Sequence, residues 1–168
     1  MINMKDILIR DAVIDDLKDI VEIYNSTVTG RMVTADLEPV TIKDREKWFH
    51  EHNSHSRPLW VVEKDDEICG WLSFQSFYGR PAYNYTAELS IYVSEKFRGK
   101  GLGRILLEKA MENCLSLKIK TLLGFVFGHN EPSLGLFHKY GFSDWGVLPK
   151  IAELDGIERD LIILGKRM

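Results

Sequence analysis

The 168-residue sequence predicts one mixed α+β domain over residues 1–168, with an antiparallel first half and a crossover helix on each side of the segment Thr121 to Phe127. Three observations carry this. Apolar residues recur with the helical period in some stretches and cluster as β-branched and aromatic runs in others. The charged stretch Lys64-Asp65-Asp66-Glu67 divides two of those runs at turn length. From Thr86 onward a strand, a glycine-rich loop, a helix, a second strand and a second helix follow in direct succession. A hydrophobic content of 45% with 11% aromatics is enough for a substantial core.

In chain order, Ile7-Leu8-Ile9-Arg10 is a short first strand, and Asp11 or Asp15 can cap a helix with apolar positions Leu17, Ile20, Val21 and Tyr24. Ser26 to Pro39 has no sustained period and is expected to be a loop, the kind of long connection that often carries function. Thr41 precedes Asp44 at capping-box spacing, so the next helix starts there, buries Trp48 and Phe49, and ends near Asn53. Leu59 to Glu63 and Ile68 to Phe77 form a hairpin, and Thr86 to Val93 a further strand. Leu102 to Leu117 has helical spacing through Ile105, Leu106, Lys109 and Met111. After the strand Thr121 to Phe127, Pro132 suits the first turn of a helix running to Tyr140, which Gly141 ends in the left-handed conformation. Two closing strands, near Asp144 to Leu154 and Ile157 to Leu164, flank the hairpin turn Asp155-Gly156.

The net charge of -3 leaves no basic surplus for a nucleic-acid backbone, so nucleic acid is not an expected partner. No apolar run reaches the roughly 18 to 20 residues of a membrane span, and Met1 to Asp6 lacks the apolar core of a signal peptide. A cytoplasmic protein is expected. Cys69 and Cys114 stand far apart outside any C-x-x-C pair and are expected to be buried thiols. His50, His52 and His55 have no adjacent cysteine pattern, so a solvated cluster is expected and no metal.

The chemistry-bearing segment is Arg98-Gly99-Lys100-Gly101-Leu102-Gly103-Arg104, where the strand ends and the helix begins. Glycines there allow positive φ and close approach, and a helix start offers unpaired N–H groups with partial positive charge. Such a loop holds a diphosphate, with Arg98, Lys100 and Arg104 available for charge-assisted bonds. A nucleotide P-loop needs Ser or Thr after the lysine, whereas Gly101 follows Lys100, and the dinucleotide fingerprint needs other glycine spacing. A tight glycine turn for packing alone is the remaining reading of the loop by itself.

R-x-x-G-x-G after Leu89-Ser90-Ile91-Tyr92-Val93 resembles the acyl-coenzyme A loop of the Gcn5-related N-acetyltransferase (GNAT) superfamily. Asn130-Glu131-Pro132-Ser133, followed by Leu136-Phe137-His138-Lys139-Tyr140-Gly141-Phe142, is similar to that superfamily's second motif. Ile23-Tyr24-Asn25, Glu38-Pro39-Val40-Thr41, Arg80-Pro81-Ala82-Tyr83 and Thr86-Ala87-Glu88 further resemble the phosphinothricin and methionine-sulfoximine N-acetyltransferase group, across nearly the whole chain.

The resemblance implies a twisted, mostly antiparallel mixed sheet of about seven strands flanked by about four helices, acetyl-CoA as cosubstrate, no metal, and a homodimer. It implies that amides from Arg98 to Arg104 hold the pyrophosphate. Ile91, Tyr92 and Val93 would meet the pantetheine, and Asn130, Ser133, Phe137 and Lys139 would complete the cofactor site. It implies transfer of acetyl to the primary amine of a small amino-acid-like acceptor. Glu88, in an otherwise apolar strand where partial burial raises its pKa, matches the family's catalytic carboxylate. Arg80 offers a guanidinium to the acceptor's carboxylate or phosphinate, and Phe77 and Tyr83 wall its pocket. The loop Val28 to Ala35 would cover the acceptor's side chain. The oxyanion would meet an amide near Ile91 or Tyr92. Phe137 stands where many members carry a tyrosine that protonates the departing thiolate, leaving Tyr140 and His138 as weak substitutes. Competing functions are acetylation of a peptide or protein N-terminus or a polyamine, and a non-catalytic acyl-CoA-binding module.

Overall fold

The structure is a computed structural model that describes residues 1–168. Seven strands form one sheet in the order β1-β2-β3-β4-β5-β7-β6. They are β1 (Leu8–Asp11), β2 (Leu59–Lys64), β3 (Glu67–Ser76), β4 (Thr86–Val93), β5 (Thr121–Phe127), β6 (Ser143–Leu154) and β7 (Ile157–Arg167). The helices are α1 (Leu17–Asn25), α2 (Ile42–His50), α3 (Leu102–Asn113) and α4 (Glu131–Lys139). Only β4 and β5 pair parallel, and α3 is the crossover between them.

Alternation along β3 and β4 sends Leu72, Phe74, Ala87 and Leu89 to one face, where they pack with Leu102, Leu106 and Leu107 of α3 in the larger core. Trp71 faces the other way and packs with Leu17, Ile20 and Val21 of α1 in a second core that α2 closes through Trp48 and Phe49. Cys69 and Cys114 are buried and free.

Helix boundaries follow local chemistry. Thr41 and Asp44 form the expected capping box, each side chain accepting from the other's backbone N–H. Neither Asp11 nor Asp15 caps α1. A 3-10 turn over Ile14–Asp16 leads into the helix, and Asp16 instead accepts from the Val13 N–H and takes both Arg10 guanidinium nitrogens at 2.7 and 3.0 Å. α3 stops at Asn113 rather than near Leu117, and turns with Lys118 at φ 57° bring the chain to β5. The other strands and helices lie within a few residues of their expected ranges.

One expectation fails on burial. His52 is not solvated: its Nδ1 lies 2.8 Å from the Trp48 carbonyl, its ring meets the Trp48 ring, and burial pulls its pKa down. In β7, Ile162 and Leu164 belong to the core, and the exposed apolar residues of β6 are Trp145, Val147, Leu148 and Ile151.

Candidate active site

β4 is paired with β3 along nearly its whole length, from Ala87 opposite Ser76 to Val93 opposite Gly70. On its other side it pairs with β5 only from Thr86 opposite Thr121 to Leu89 opposite Gly124. β5 is meanwhile held by β7 out to Phe127, so the two strands diverge past Leu89 and leave a wedge in the sheet. The edge of β4 that faces the wedge follows from ladder parity. The Ser94 N–H donates to the Cys69 carbonyl at 2.8 Å, so alternate residues Tyr92 and Ser90 also face β3, and Ile91 and Val93 face β5.

The wedge opens into a cleft of about 470 Å³. Its floor is β4 from Leu89 to Val93, its far wall Phe125 and Val126, and its ends are the glycine-rich loop and the start of α4. Gly99 and Gly101 have φ of 72° and 87°, and Gly101 is the residue before α3, so the loop takes the left-handed conformations that side-chained residues resist. Asn130 is buried and caps α4, accepting from the Ser133 N–H at 3.3 Å. Beside the cleft, Gly124 is in close approach: a Cβ there would stand 3.1 Å from the Phe137 ring.

Of the residues expected at a cofactor site, Ile91, Tyr92, Val93, Arg98, Gly99, Gly101, Leu102, Gly103, Asn130, Ser133 and Phe137 line the cleft. Lys100, Arg104 and Lys139 do not. Lys100 extends over the Phe97 ring, Arg104 pairs with Glu108 at 3.2 Å, and Lys139 ends α4 in solvent. Tyr92 lines the cleft, but ladder parity turns its amide to β3, which leaves Ile91 as the residue whose N–H faces the wedge. Neither substitute for the absent tyrosine reaches the cleft. The Tyr140 hydroxyl donates to Glu108 at 2.7 Å, and His138 is paired with Asp144 at 2.7 Å.

Glu88 lies half-buried in β4 between Gln75 and Leu123, and it points to the α1/α2 face with Ser90 and Tyr92. Burial, with no charged partner beside it, pushes its pKa above the usual carboxylate value. Phe77, Arg80 and Tyr83 belong to the connection after β3, where Phe77 meets Tyr83 at 5.4 Å and Arg80 is exposed. None of the three lines the cleft or the hollow described next. The connection is anchored by buried Arg57, which donates to Ser76 Oγ at 3.1 Å and to the carbonyls of Asn84 and Thr86 at 2.8 and 3.3 Å.

Two further groups of residues line cavities. Thr27, Met32 and Val33, from the loop after α1, close the cleft from above. That loop is tied down by Arg31 to Asp155 at 2.9 Å, by the ring of His129 to the Arg31 carbonyl at 2.8 Å, and by Asp36 to Tyr24 and Arg45. The expected loop at Val28 to Ala35 therefore roofs the cleft itself. The second group surrounds a separate hollow of about 160 Å³ between α1, α2 and the sheet, which shares Ser90 and Tyr92 with the cleft. A sign of the first group lay in the missing period of residues 26–39; the second needs β3, β4 and both helices assembled.

Comparison with known proteins agrees with this geometry. Residues 17–142 match the model of the Acetyltransferase (GNAT) family. The chain is 54% identical over 154 residues to YwnH of Bacillus subtilis (strain 168), which is named for phosphinothricin acetylation, covering 91% of this chain and 94% of that one. It is 29% identical to the L-methionine sulfoximine/L-methionine sulfone acetyltransferase of Pseudomonas paraeruginosa, covering 93% and 91%. The solved structure of a GNAT superfamily phosphinothricin acetyltransferase from Sinorhizobium meliloti, in complex with AcCoA, superposes with TM-score 0.90 at 26% identity, covering 97% of this chain and 89% of that one. A wedge between parallel strands, a left-handed glycine loop at a helix start and a match over residues 17–142 together place this chain in the GNAT acetyltransferase family.

Proposed function

We propose that this chain acetylates the primary amine of a small amino-acid-like acceptor of the phosphinothricin, methionine sulfoximine or methionine sulfone type, using acetyl-CoA. The observation that carries the reading is the wedge past Leu89 and Gly124, whose free strand edge leads from the glycine loop to the neighbourhood of Glu88. The residues present fit the cosubstrate. Gly99 and Gly101 free the loop amides for a pyrophosphate, and the Ile91 and Val93 backbone groups suit pantetheine amides. Asn130 and Ser133 border the same cleft.

Acetyl-CoA supplies the activated acetyl group: the amide C–N bond forms, the thioester C–S bond breaks, and the thiol is released. Glu88, with its raised pKa, takes the ammonium proton directly or through water, so that the acceptor nitrogen attacks as a free amine. The Ile91 N–H donates to the carbonyl oxygen as negative charge develops there. Phe137 offers no proton at the end of the cleft, and a thiol with pKa of about 8.5 leaves without a dedicated acid. Arg80, with Phe77 and Tyr83, forms the outer rim that meets the acceptor's carboxylate as it enters.

The protein acts in the cytoplasm as a homodimer, with exposed apolar residues of β6 such as Trp145 in its contact. The decisive experiment is thiol release against a panel of methionine sulfone, methionine sulfoximine, phosphinothricin, polyamines and peptide N-termini. Turnover confined to the amino-acid acceptors is expected, and turnover confined to peptides or polyamines would reject the reading. Sedimentation of the wild type and of Trp145→Glu tests the dimer: a wild-type monomer would reject it.

A further inference from the structure

We propose that the segment Met1 to Asn3 is a brace for the glycine-rich loop: its Ile2 N–H fixes the Lys100–Gly101 peptide plane, and so aims the Gly101 N–H at the diphosphate of the cosubstrate. The inference rests on the acetyltransferase reading above and gives a positioning role to residues outside the cleft.

The segment reaches the loop because two features place it there. Ile2 packs against the larger core beside Ile7 and Ile9. Asn3 caps the 3-10 turn Met4–Asp6 that leads toward β1, accepting the Lys5 N–H on its side chain and the Asp6 N–H on its carbonyl, both at 3.0 Å. The Ile2 N–H is thereby delivered to the Lys100 carbonyl at 3.0 Å. Met1 crosses Gly101 itself: a Cβ on that glycine would stand 2.8 Å from Met1 Cε.

What the bond does follows from peptide geometry. The Lys100–Gly101 unit is trans, so its C=O and N–H point in opposite directions. With the carbonyl directed at Ile2, the Gly101 N–H is turned away from the brace. Gly101 lines the cleft, whereas Met1, Ile2 and Lys100 do not, so the brace lies on the outer side of the loop and the N–H faces inward. That N–H has no hydrogen-bond partner within the chain, as a group kept for a ligand should.

The next unit needs no such help, because the Gly101 carbonyl accepts from the Ile105 N–H at 3.1 Å and is held by the start of α3. The Lys100–Gly101 unit has only the bond from Ile2 on its carbonyl. It also ends on a glycine at φ 87°, where rotation of the plane meets little steric resistance. The freedom that lets the loop form therefore also lets this peptide turn over, and the brace selects the orientation that binds. If its loss leaves roughly one-fifth to one-tenth of molecules with the N–H aimed, apparent cosubstrate affinity falls by the same factor.

The test compares wild type with two variants: a chain begun at Met4, which lacks the whole brace, and Ile2→Gln, which loses the apolar packing and keeps the N–H. Coenzyme A and 3′-dephospho-coenzyme A are titrated into each by calorimetry. Thiol release is measured with acetyl-CoA and with S-acetylpantetheine, which has no diphosphate. The shortened chain is expected to bind both coenzymes about five- to tenfold more weakly and to lose the same factor in kcat/KM for acetyl-CoA, with S-acetylpantetheine changed less than about twofold. Ile2→Gln is expected to share the fall in Tm and to keep coenzyme affinity within about twofold. Undiminished coenzyme A affinity in the shortened chain, an equal loss with S-acetylpantetheine, or an equal loss in Ile2→Gln overturns the inference and leaves the acetyltransferase reading standing. A wild type that neither binds coenzyme A nor releases thiol with any amine overturns both.

Discussion

The two sides of β4 are built from different materials. On the β5 side the site is made of backbone: a strand edge left unpaired past Leu89, and glycine conformations at φ 72° and 87°. On the α1/α2 side it is made of side chains from four elements, Ser73 and Gln75 of β3, Ser90 of β4, Tyr24 of α1, and Arg45 and Trp48 of α2. A backbone site suits a ligand whose pantetheine and pyrophosphate are the same in every reaction. A wall made of side chains can be changed one residue at a time, which suits it to telling ligands apart. Glu88 stands where the two meet, and breaking it tests both.

Glu88→Gln is expected to reduce kcat on the order of a hundredfold, with acetyl-CoA affinity unchanged by calorimetry. Because burial raises the Glu88 pKa, the base is lost at a higher pH than an exposed carboxylate would be. The acid limb of kcat/KM therefore lies above the usual carboxylate range in the wild type and is absent from residual Gln turnover. The sign for stability is opposite. A carboxylate whose folded pKa is raised costs the fold stability as pH climbs from the unfolded-state pKa to the folded one, so Glu88→Gln is expected to raise Tm at neutral pH and leave it unchanged in acid. Lower activity together with lower Tm at neutral pH would indicate a structural role instead.

The same division explains what was legible in the sequence. Glycines with positive φ and a helix cap leave a local signature, so Gly99 to Gly103 and Asn130-x-x-Ser133 could be read as the ends of one cleft from short-range pattern alone. The parity that sends Ile91 rather than Tyr92 into the wedge depends on which strand lies on each side, which short-range pattern does not encode. Lys100, Arg104 and Lys139 were expected at the cofactor for their charge, yet the structure turns Arg104 to Glu108 and Lys100 over Phe97. The Ser73–Ser90 hollow is legible only after residues 17 apart pair and two helices cover them.

Arg57 sharpens the contrast because it lies outside the cleft and supports only the connection after β3. Its guanidinium ties Ser76 to Asn84 and Thr86, the two ends of the connection that carries Arg80 and Tyr83. Arg57→Ala is expected to cost about 2 kcal/mol by leaving those carbonyls unpaired. In a chain of 168 residues this corresponds to a Tm roughly 4 to 8 °C lower. The acceptor KM should rise while acetyl-CoA affinity holds. On the donor side, Gly101→Ala places a Cβ at φ 87°, a strain of roughly 1 to 2 kcal/mol, and acetyl-CoA affinity should fall about tenfold as the loop gives up its conformation. Acceptor KM, measured at saturating acetyl-CoA, should stay put. If both variants moved both constants equally, the two sides would not be separable.

Phe137→Tyr carries the smallest expected effect. Phe137 is buried against Phe142 at 4.9 Å and borders the end of the cleft near Gly124, so Phe137→Tyr adds a hydroxyl to a ring that lines this cleft. If protonating the departing thiolate limited turnover, the added acid would raise kcat strongly. A thiol with pKa of about 8.5 is a stable enough leaving group that the gain should be less than about threefold at neutral pH. Such a result would set this chain apart from members that carry the tyrosine, with the chemical burden resting on amine deprotonation at Glu88. A gain on the order of tenfold or more in kcat would reverse that assignment, and would make thiolate protonation at the Phe137 end of the cleft the slow step.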